Sequence, residues 1–347
     1  MKVGLVGFSG SGKSTVFQWL TGVQPDPARV QHGQTGVAKL PDPRLDAVSE
    51  HFRPKKTTPA EIAFLDTPGL LLDERKDNPR RLSILRESNG LVVVLDGYSA
   101  SNFAEQLRKF RDEILFADLE IVTNRIERLH TQLKKPRSAK EKERDEAELA
   151  LLQRVVTAFE AGQSAMSLGL NPEEEKQLRS FQLLTLKPEL VFVNRGDAAT
   201  LKSPLPPDLL ALSPSALQAA PKLELEVAEL PKEDRAAFLA DLGLGESDRA
   251  AILQTIFAAM GQIVFLTVGE DECRAWPMPK GADAVEGARQ IHTDLASRFV
   301  RAEVVHYDDF VKCGYSMKEA KAKGVYRLEG KTYVVHDGDI MHILASS

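Results

Sequence analysis

Cysteine is scarce in this chain. Cys273 and Cys313 are the two present in 347 residues, and both fall in the last quarter without metal-ligand spacing. Burial as small apolar side chains is therefore the default, and a reducing cytoplasm is the expected compartment. Long apolar runs are also missing. Leu91 to Leu95 has the length of a buried strand and falls far short of a membrane span, so no membrane role is expected. Positive charge is not in excess either. Lys and Arg total 45 against 50 Asp and Glu, a net charge of −5. Bulk electrostatics therefore do not advertise nucleic-acid binding, and any such contact needs a local basic patch.

What is present is a globular composition, 43% hydrophobic and 27% charged, over a length that calls for two or three domains. Near the start stands Gly7-Phe8-Ser9-Gly10-Ser11-Gly12-Lys13-Ser14, which matches G-x-x-x-x-G-K-[ST]. Lys2 to Val6 reads as a buried strand running straight into it, a core strand and not a signal peptide, and Thr15 to Leu20 opens a helix. Glycines let the backbone curl so that N–H groups face phosphate oxygens, and the helix adds its positive end. Ser9, Gly10, Ser11, Gly12, Lys13, Ser14 and Thr15 are thus the expected phosphate contacts. Lys13 would reach the β- and γ-phosphates and stabilise the transition state, and the Ser14 hydroxyl would ligate Mg²⁺.

Glu61 to Leu65 alternates as a strand ending in Asp66-Thr67-Pro68-Gly69. A carboxylate at a strand tip followed by a glycine turn is the second half of a Mg-nucleotide site. Asp66 would hold Mg²⁺ through water, and the Gly69 N–H would sense the γ-phosphate. Asp-x-x-Gly alone is common; downstream of a phosphate loop it carries weight. Leu91 to Asp96 and Leu190 to Val193 are two more buried strands. The latter ends in Asn194-Arg195-Gly196-Asp197, which resembles the Asn-Lys-x-Asp element with which GTPases read guanine. Asp197 would accept from guanine N1–H and N2–H₂, Asn194 would brace the loop, and the stem of Arg195 would lie over the base. An ordinary Asn/Gly/Asp turn after a strand is the competing reading of the tetrapeptide.

Between these strands lies an insertion. Leu107, Phe110, Ile114, Ala117 and Ile121 repeat at helical spacing, and Glu141 to Glu160 forms a second helix after the Lys134-Lys135-Pro136-Arg137-Ser138 break. Two antiparallel helices are expected, a coiled-coil-like arm whose tip carries Lys134, Lys135, Arg137 and Lys140. That tip is either solvated or a contact for nucleic acid or the ribosome. Arg53-Pro54-Lys55-Lys56 is read as a solvated charge run. From Gln262 the period changes. Strands at 263–267, 273–276, 302–305, 332–335 and 340–344 around a helix at 284–292 suggest a small β-grasp module.

These residues carry a family. The chain resembles the YchF/Obg-like ATPases, P-loop proteins of the translation-factor-related class, nearly end to end. The resemblance is most specific in Arg274-Ala275-Trp276, Ile291-His292-Thr293-Asp294, Tyr307-Asp308-Asp309-Phe310 and Val335-His336-Asp337-Gly338-Asp339. It implies an α/β fold: a Ras-like P-loop nucleotide domain over 1–102 and 187–260, an inserted helical arm over 103–186, and a C-terminal β-grasp (TGS) domain over 261–347. It also implies a cytosolic switch that binds ATP or GTP with Mg²⁺ and meets the ribosome, ribosomal RNA or tRNA through the arm tip and TGS-like module. Whether nucleotide drives dimerisation stays open.

The departures lie in the catalytic half. Val30 stands where the family's first switch has Thr, and Thr35 is the substitute offered as a metal ligand. Leu71 to Asp77 replaces a glycine-rich second switch; Leu70, where Ras-type enzymes place a water-orienting Gln, agrees with the family, which the resemblance implies uses a His in a nearby loop instead, and here the shortened loop 96–102 has no His. Slow hydrolysis follows, with a nucleotide-gated scaffold of little turnover as the alternative. A small-molecule kinase is the weakest reading. Relatives carry Asn-x-x-Glu and take ATP, whereas Asp197 favours guanine, so both nucleotides are kept.

Overall fold

The computed structural model describes residues 1–72, 75–244 and 249–346. Asp73 and Glu74 of the replaced second switch lie outside the described residues. The chain forms two compact units. One contains residues 2–36 and 64–247, the other residues 1, 37–63 and 248–347.

A six-stranded sheet runs in the order Gln34–Lys39, Glu61–Asp66, Lys2–Val6, Gly90–Gly97, Glu189–Arg195, Leu217–Ala219. The pairings from Lys2–Val6 outward to Leu217–Ala219 are parallel. Strands covered on both faces read as unbroken apolar runs, and Leu91 to Leu95 and Leu190 to Val193 are buried throughout. The helix Phe103–Leu133 lies over this sheet with Leu107, Phe110, Ile114 and Ala117, packed in one cluster with Val93, Leu95, Val191 and Val193. Full burial of each such side chain is worth about 1.5–3 kcal/mol.

The second half of the same helix serves a different core. Val122 and Leu129 pack with Leu152, Val155 and Phe159 of the helix Ala139–Glu160. Ser138 and Glu141 cap that helix reciprocally, as Asn171 and Glu174 cap Pro172–Arg179. The expected arm therefore begins inside the nucleotide domain's own core; Phe103 to Ala117 is a wall of that domain. Buried Asp118 ties the helix to the returning chain. It accepts from Arg86 Nη1 at 2.7 Å and from the Thr185 amide and hydroxyl at 2.8 and 2.9 Å.

In the smaller unit a sheet runs in the order Arg327–Glu329, Phe299–His306, Asp339–Ala345, Gln262–Thr267, Glu272–Pro279, Lys56–Thr58. Phe265, Trp276, Met278, Ala302, Val304 and Met341 pack against Ala284 and Ala288 of the helix Ala284–Ile291. Both cysteines are buried and free. Thr332 to Val335 is not the strand its β-branched and aromatic residues suggested. Only an isolated bridge from Val334 to Asp283 forms, because the segment is turned by the Tyr333 and His336 contacts to Asp339. The charge run also has a structural use. Lys56–Thr58 pairs in parallel with Glu272–Arg274, and Lys55 and Lys56 meet Asp271 and Glu272. Residues 37–63 thus belong to the C-terminal module. His51 stacks on Tyr315 with ring centroids 4.4 Å apart, and Arg44 bridges Asp42 and Asp337. This division is not the one drawn from the sequence, where those residues went with the nucleotide domain.

Candidate nucleotide site

The loop Gly7–Gly12 leaves the strand Lys2–Val6 and feeds the helix Lys13–Thr21, as its sequence requires. Gly10 and Gly12 hold φ of 85° and 81°, the left-handed region open to glycine. A Cβ on Gly12 would strike the Asn194 side chain, and one on Gly7 the Val94 carbonyl. Asn194 is 4% exposed and donates from Nδ2 to the Ser11 carbonyl at 3.0 Å. The structure therefore brings the phosphate loop and the Asn194 turn together, with Asn194 as the brace.

Lys13 is buried, with Nζ donating to the Phe8 carbonyl at 2.9 Å. Burial pushes its pKa down to about 8; the Asp66 carboxylate opposes the fall and the Arg81 guanidinium adds to it. Asp66 is fully buried, and neither of its oxygens has a protein hydrogen-bond partner. Burial pushes its carboxyl up. The Ser14 hydroxyl, short of hydrogen-bond geometry, the Lys13 ammonium and the Thr67 amide oppose that rise. An unpartnered buried carboxylate costs several kcal/mol unless something positive completes it. A carboxylate with a hydroxyl nearby is the hard oxygen set that suits Mg²⁺, so Asp66 and Ser14 fit that ion. Thr35 is exposed on the strand Gln34–Lys39.

Gly69 lies on the loop. Ser9 N–H donates to Leu70 O at 2.8 Å, and Leu70 N–H to Gly7 O at 3.0 Å. A Cβ on Gly69 would come within 2.5 Å of the Ser9 Cα and 2.9 Å of Lys13 Nζ. The Ser9 amide is thus engaged by the second switch in this conformation, and the Ser11 amide donates to Phe8 O at 3.2 Å.

Of the residues expected to read the base, Asp197 caps the helix Ala198–Lys202 and accepts from the Thr200 amide at 2.8 Å. These bonds hold its carboxyl below the usual range. The Arg195 head is engaged within the protein. It sits 4.9 Å over the Phe103 ring and donates to Gln218 Oε1 at 3.0 Å. Sequence reasoning missed Tyr98. Its hydroxyl donates to the Gly10 carbonyl, its backbone amide is held by Asp96 at 3.0 Å, and Gly196 lies against its Cβ. The only sequence signal was an aromatic two residues beyond the strand-end Asp96.

Comparisons with known proteins agree with this geometry. Residues 2–125 match a family model described as a 50S ribosome-binding GTPase, and residues 262–346 match YchF-GTPase_C, a family of unknown function. The chain is 31% identical to the ribosome-binding ATPase YchF of Bacillus subtilis, over 99% of this chain and 98% of that one. It is 31% identical to the protein of that name from Pasteurella multocida and 30% to that from Haemophilus influenzae, covering 98% of both chains in each case. A solved structure of the Schizosaccharomyces pombe YchF GTPase shares the fold, with a TM-score of 0.80 at 24% identity over 99% of this chain and 97% of that one. With a phosphate loop, a buried strand-end carboxylate and relatives matched end to end, the chain belongs to the YchF family.

Proposed function

We propose that this chain is a P-loop nucleoside triphosphatase that binds ATP or GTP with Mg²⁺, hydrolyses it slowly, and acts as a ribosome- or RNA-associated switch in the cytoplasm. The observation that carries the reading is the pair Lys13 and Asp66. Both are buried at the mouth of a glycine-lined loop, and Asp66 has no protein partner for either oxygen. A triphosphate and its metal supply the charges that this pair lacks.

In that reading the amides of Gly10 to Thr15 and the Lys13 ammonium hold the phosphates. Ser14 and Asp66 hold Mg²⁺, which offsets phosphate charge when bound, with Thr35 the weaker candidate ligand. Gly69 answers to the γ-phosphate. Asn194, Arg195 and Asp197 form the base side. Asn194 acts there as a brace, and Arg195 acts through the packing of Phe103 and Gln218. No water-orienting side chain stands at Leu70, so turnover is slow.

The ribosome enters through the relatives, which are named ribosome-binding ATPases. Lys134, Lys135 and Lys140 at the helical tip are exposed, whereas Arg137 is paired with Asp145 at 2.7 Å. The tip and the TGS-like module are the surfaces offered to ribosomal components. Among the described residues no helix is long and apolar enough to cross a membrane. Calorimetry with ATP and GTP at millimolar Mg²⁺, beside ribosome co-sedimentation, tests this reading. Binding abolished by Lys13→Ala supports it, and no heat with either nucleotide ends it.

A further inference from the structure

We infer that Arg81 is a catalytic residue supplied in cis, its guanidinium facing the γ-phosphate and stabilising the charge that develops there during hydrolysis. The inference rests on the nucleotide-site reading above and adds to it a group that stabilises charge; no side chain replaces the missing water-orienting one.

Arg81 lies on the short helix Asn78–Ser83, whose position is fixed against the second switch. Leu71 N–H donates to Asn78 Oδ1 at 2.9 Å, and Asn78 Nδ2 donates back to Leu71 O at 2.9 Å. From that anchor Arg81 Nη1 reaches the Gly69 carbonyl at 2.6 Å. Gly69 stands between two cations, with the Arg81 guanidinium on its carbonyl and the Lys13 ammonium 2.9 Å from where its Cβ would be. The repulsion between the two cations contributes to the depressed Lys13 pKa.

Its place, on the Gly69 carbonyl and close enough to Lys13 to lower its pKa, sets Arg81 apart. Arg86, in the turn after this helix, and Arg111 and Arg125 of the helix Phe103–Leu133 each meet a carboxylate, respectively Asp118, Glu189 and Glu148, whereas Arg235 bonds only the Leu230 and Ala228 carbonyls, far along the chain from the phosphate loop. Arg81 is half-buried, and among the described residues no carboxylate pairs with it. A guanidinium has five N–H donors, and a planar fork suits phosphate oxygens. Two cations held together around a glycine that abuts the phosphate loop call for an anion, and the γ-phosphate is the anion this site receives.

In the reaction a water oxygen bonds to the γ-phosphorus while the bond to the β–γ bridging oxygen breaks. The bonding pair leaves with the diphosphate, and the water proton passes to solvent. Charge grows on the bridging and equatorial oxygens, where a fixed guanidinium acts.

The test uses the full chain and Arg81→Gln, which keeps a polar side chain and removes the charge, with Arg81→Ala and Arg81→Lys alongside. Single-turnover hydrolysis, triphosphate affinity and affinity for nucleoside diphosphate with aluminium fluoride are measured. The expected result for Arg81→Gln is parent-like melting and triphosphate affinity, a fall in kcat of about 100-fold or more, and weakened binding of the planar fluoride mimic. Arg81→Lys should recover part of the rate. A purely structural arginine would shift melting and triphosphate affinity and leave the mimic's relative affinity unchanged. Parent-like turnover in Arg81→Gln overturns this inference alone. Failure of the parent to bind any purine triphosphate overturns the nucleotide reading and this one with it.

Discussion

The side-chain amide of Asn194 donates to the main-chain carbonyl of Ser11 at 3.0 Å, joining positions 183 residues apart. The Asn194 turn is thereby fastened to the glycine-rich loop by one buried bond, which in the proposed function joins the base side to the phosphate side. Replacing Asn194 with Ala leaves the Ser11 carbonyl without that partner, at a cost of about 1–3 kcal/mol. We expect a lower melting temperature and weaker binding of ATP and GTP alike, because the brace serves the loop and not the base. Calorimetry on Asn194→Ala that shows loss for one nucleotide only would give Asn194 a reading role instead.

Lys13 sets a pH dependence. Its pKa in the free protein is lowered to about 8, chiefly by burial, against an ordinary value of 10.5. The sign follows from where the proton sits. Between these values the unfolded chain holds a proton that the folded chain has released, so stability rises with pH from about 8 toward 10.5. Binding runs the other way. A triphosphate favours the charged ammonium, so above pH 8 it must bring a proton onto Lys13, and affinity falls. Isothermal titration at pH 9 in two buffers of different ionisation enthalpy should show net proton uptake, much reduced at pH 7, where Lys13 already carries its proton. Equal heats in both buffers would contradict the assignment.

Asp66 limits the acid side. Its carboxyl is raised by burial, so it protonates at a higher pH than an exposed aspartate, and a protonated Asp66 is a poor Mg²⁺ ligand. Mg²⁺-dependent affinity should therefore weaken on acidification before Mg²⁺-free affinity does. Asp66→Asn should abolish that difference while leaving residual metal-free binding.

The helix that crosses between two cores depends on Asp118. That carboxylate is fully buried and takes three donors, from Arg86 and from the amide and hydroxyl of Thr185. Asp118→Ala strands the Arg86 charge and should cost about 3–5 kcal/mol. Thermal melting would show it, and the Arg86→Met/Asp118→Leu double variant should recover most of the loss. If the single variant melts like the parent, the ion pair is not what fastens the returning chain.

How far the sequence spoke depended on whether a residue's role was local. The phosphate loop is a local backbone matter, and Gly7 to Ser14 between a strand and a helix was legible at once. Asp66 at a strand end was legible for the same reason. The partners of the Arg195 head, Phe103 and Gln218, were not legible because they come from distant segments that only folding brings together. Arg81 and Tyr98 carried no motif, since their positions follow from contacts with Gly69 and Gly10. The charge run at 53–56 looked solvated because the acidic partners Asp271 and Glu272 lie over 200 residues away. Thr332 to Val335 has the β-branched and aromatic residues of a strand, yet the turn contacts of Tyr333 and His336 with Asp339 prevail.

In the proposed function base choice rests on Asp197, which already has work in the free protein. Its carboxylate caps the five-residue helix Ala198–Lys202 through the Thr200 amide, and loss of such a cap costs about 1 kcal/mol. Asp197→Ala therefore weakens both nucleotides to some degree by loosening the turn. Guanine alone offers the paired N1–H and N2–H₂ donors that a carboxylate can accept, so a reading role adds a further loss for GTP of about tenfold or more. Asp197→Asn separates the two effects, because an amide still caps the helix but presents only one acceptor. We expect Asp197→Asn to melt near the parent and to lose GTP affinity relative to ATP. Equal losses for the two nucleotides in both variants would leave Asp197 as a cap alone and move base selection elsewhere in the site.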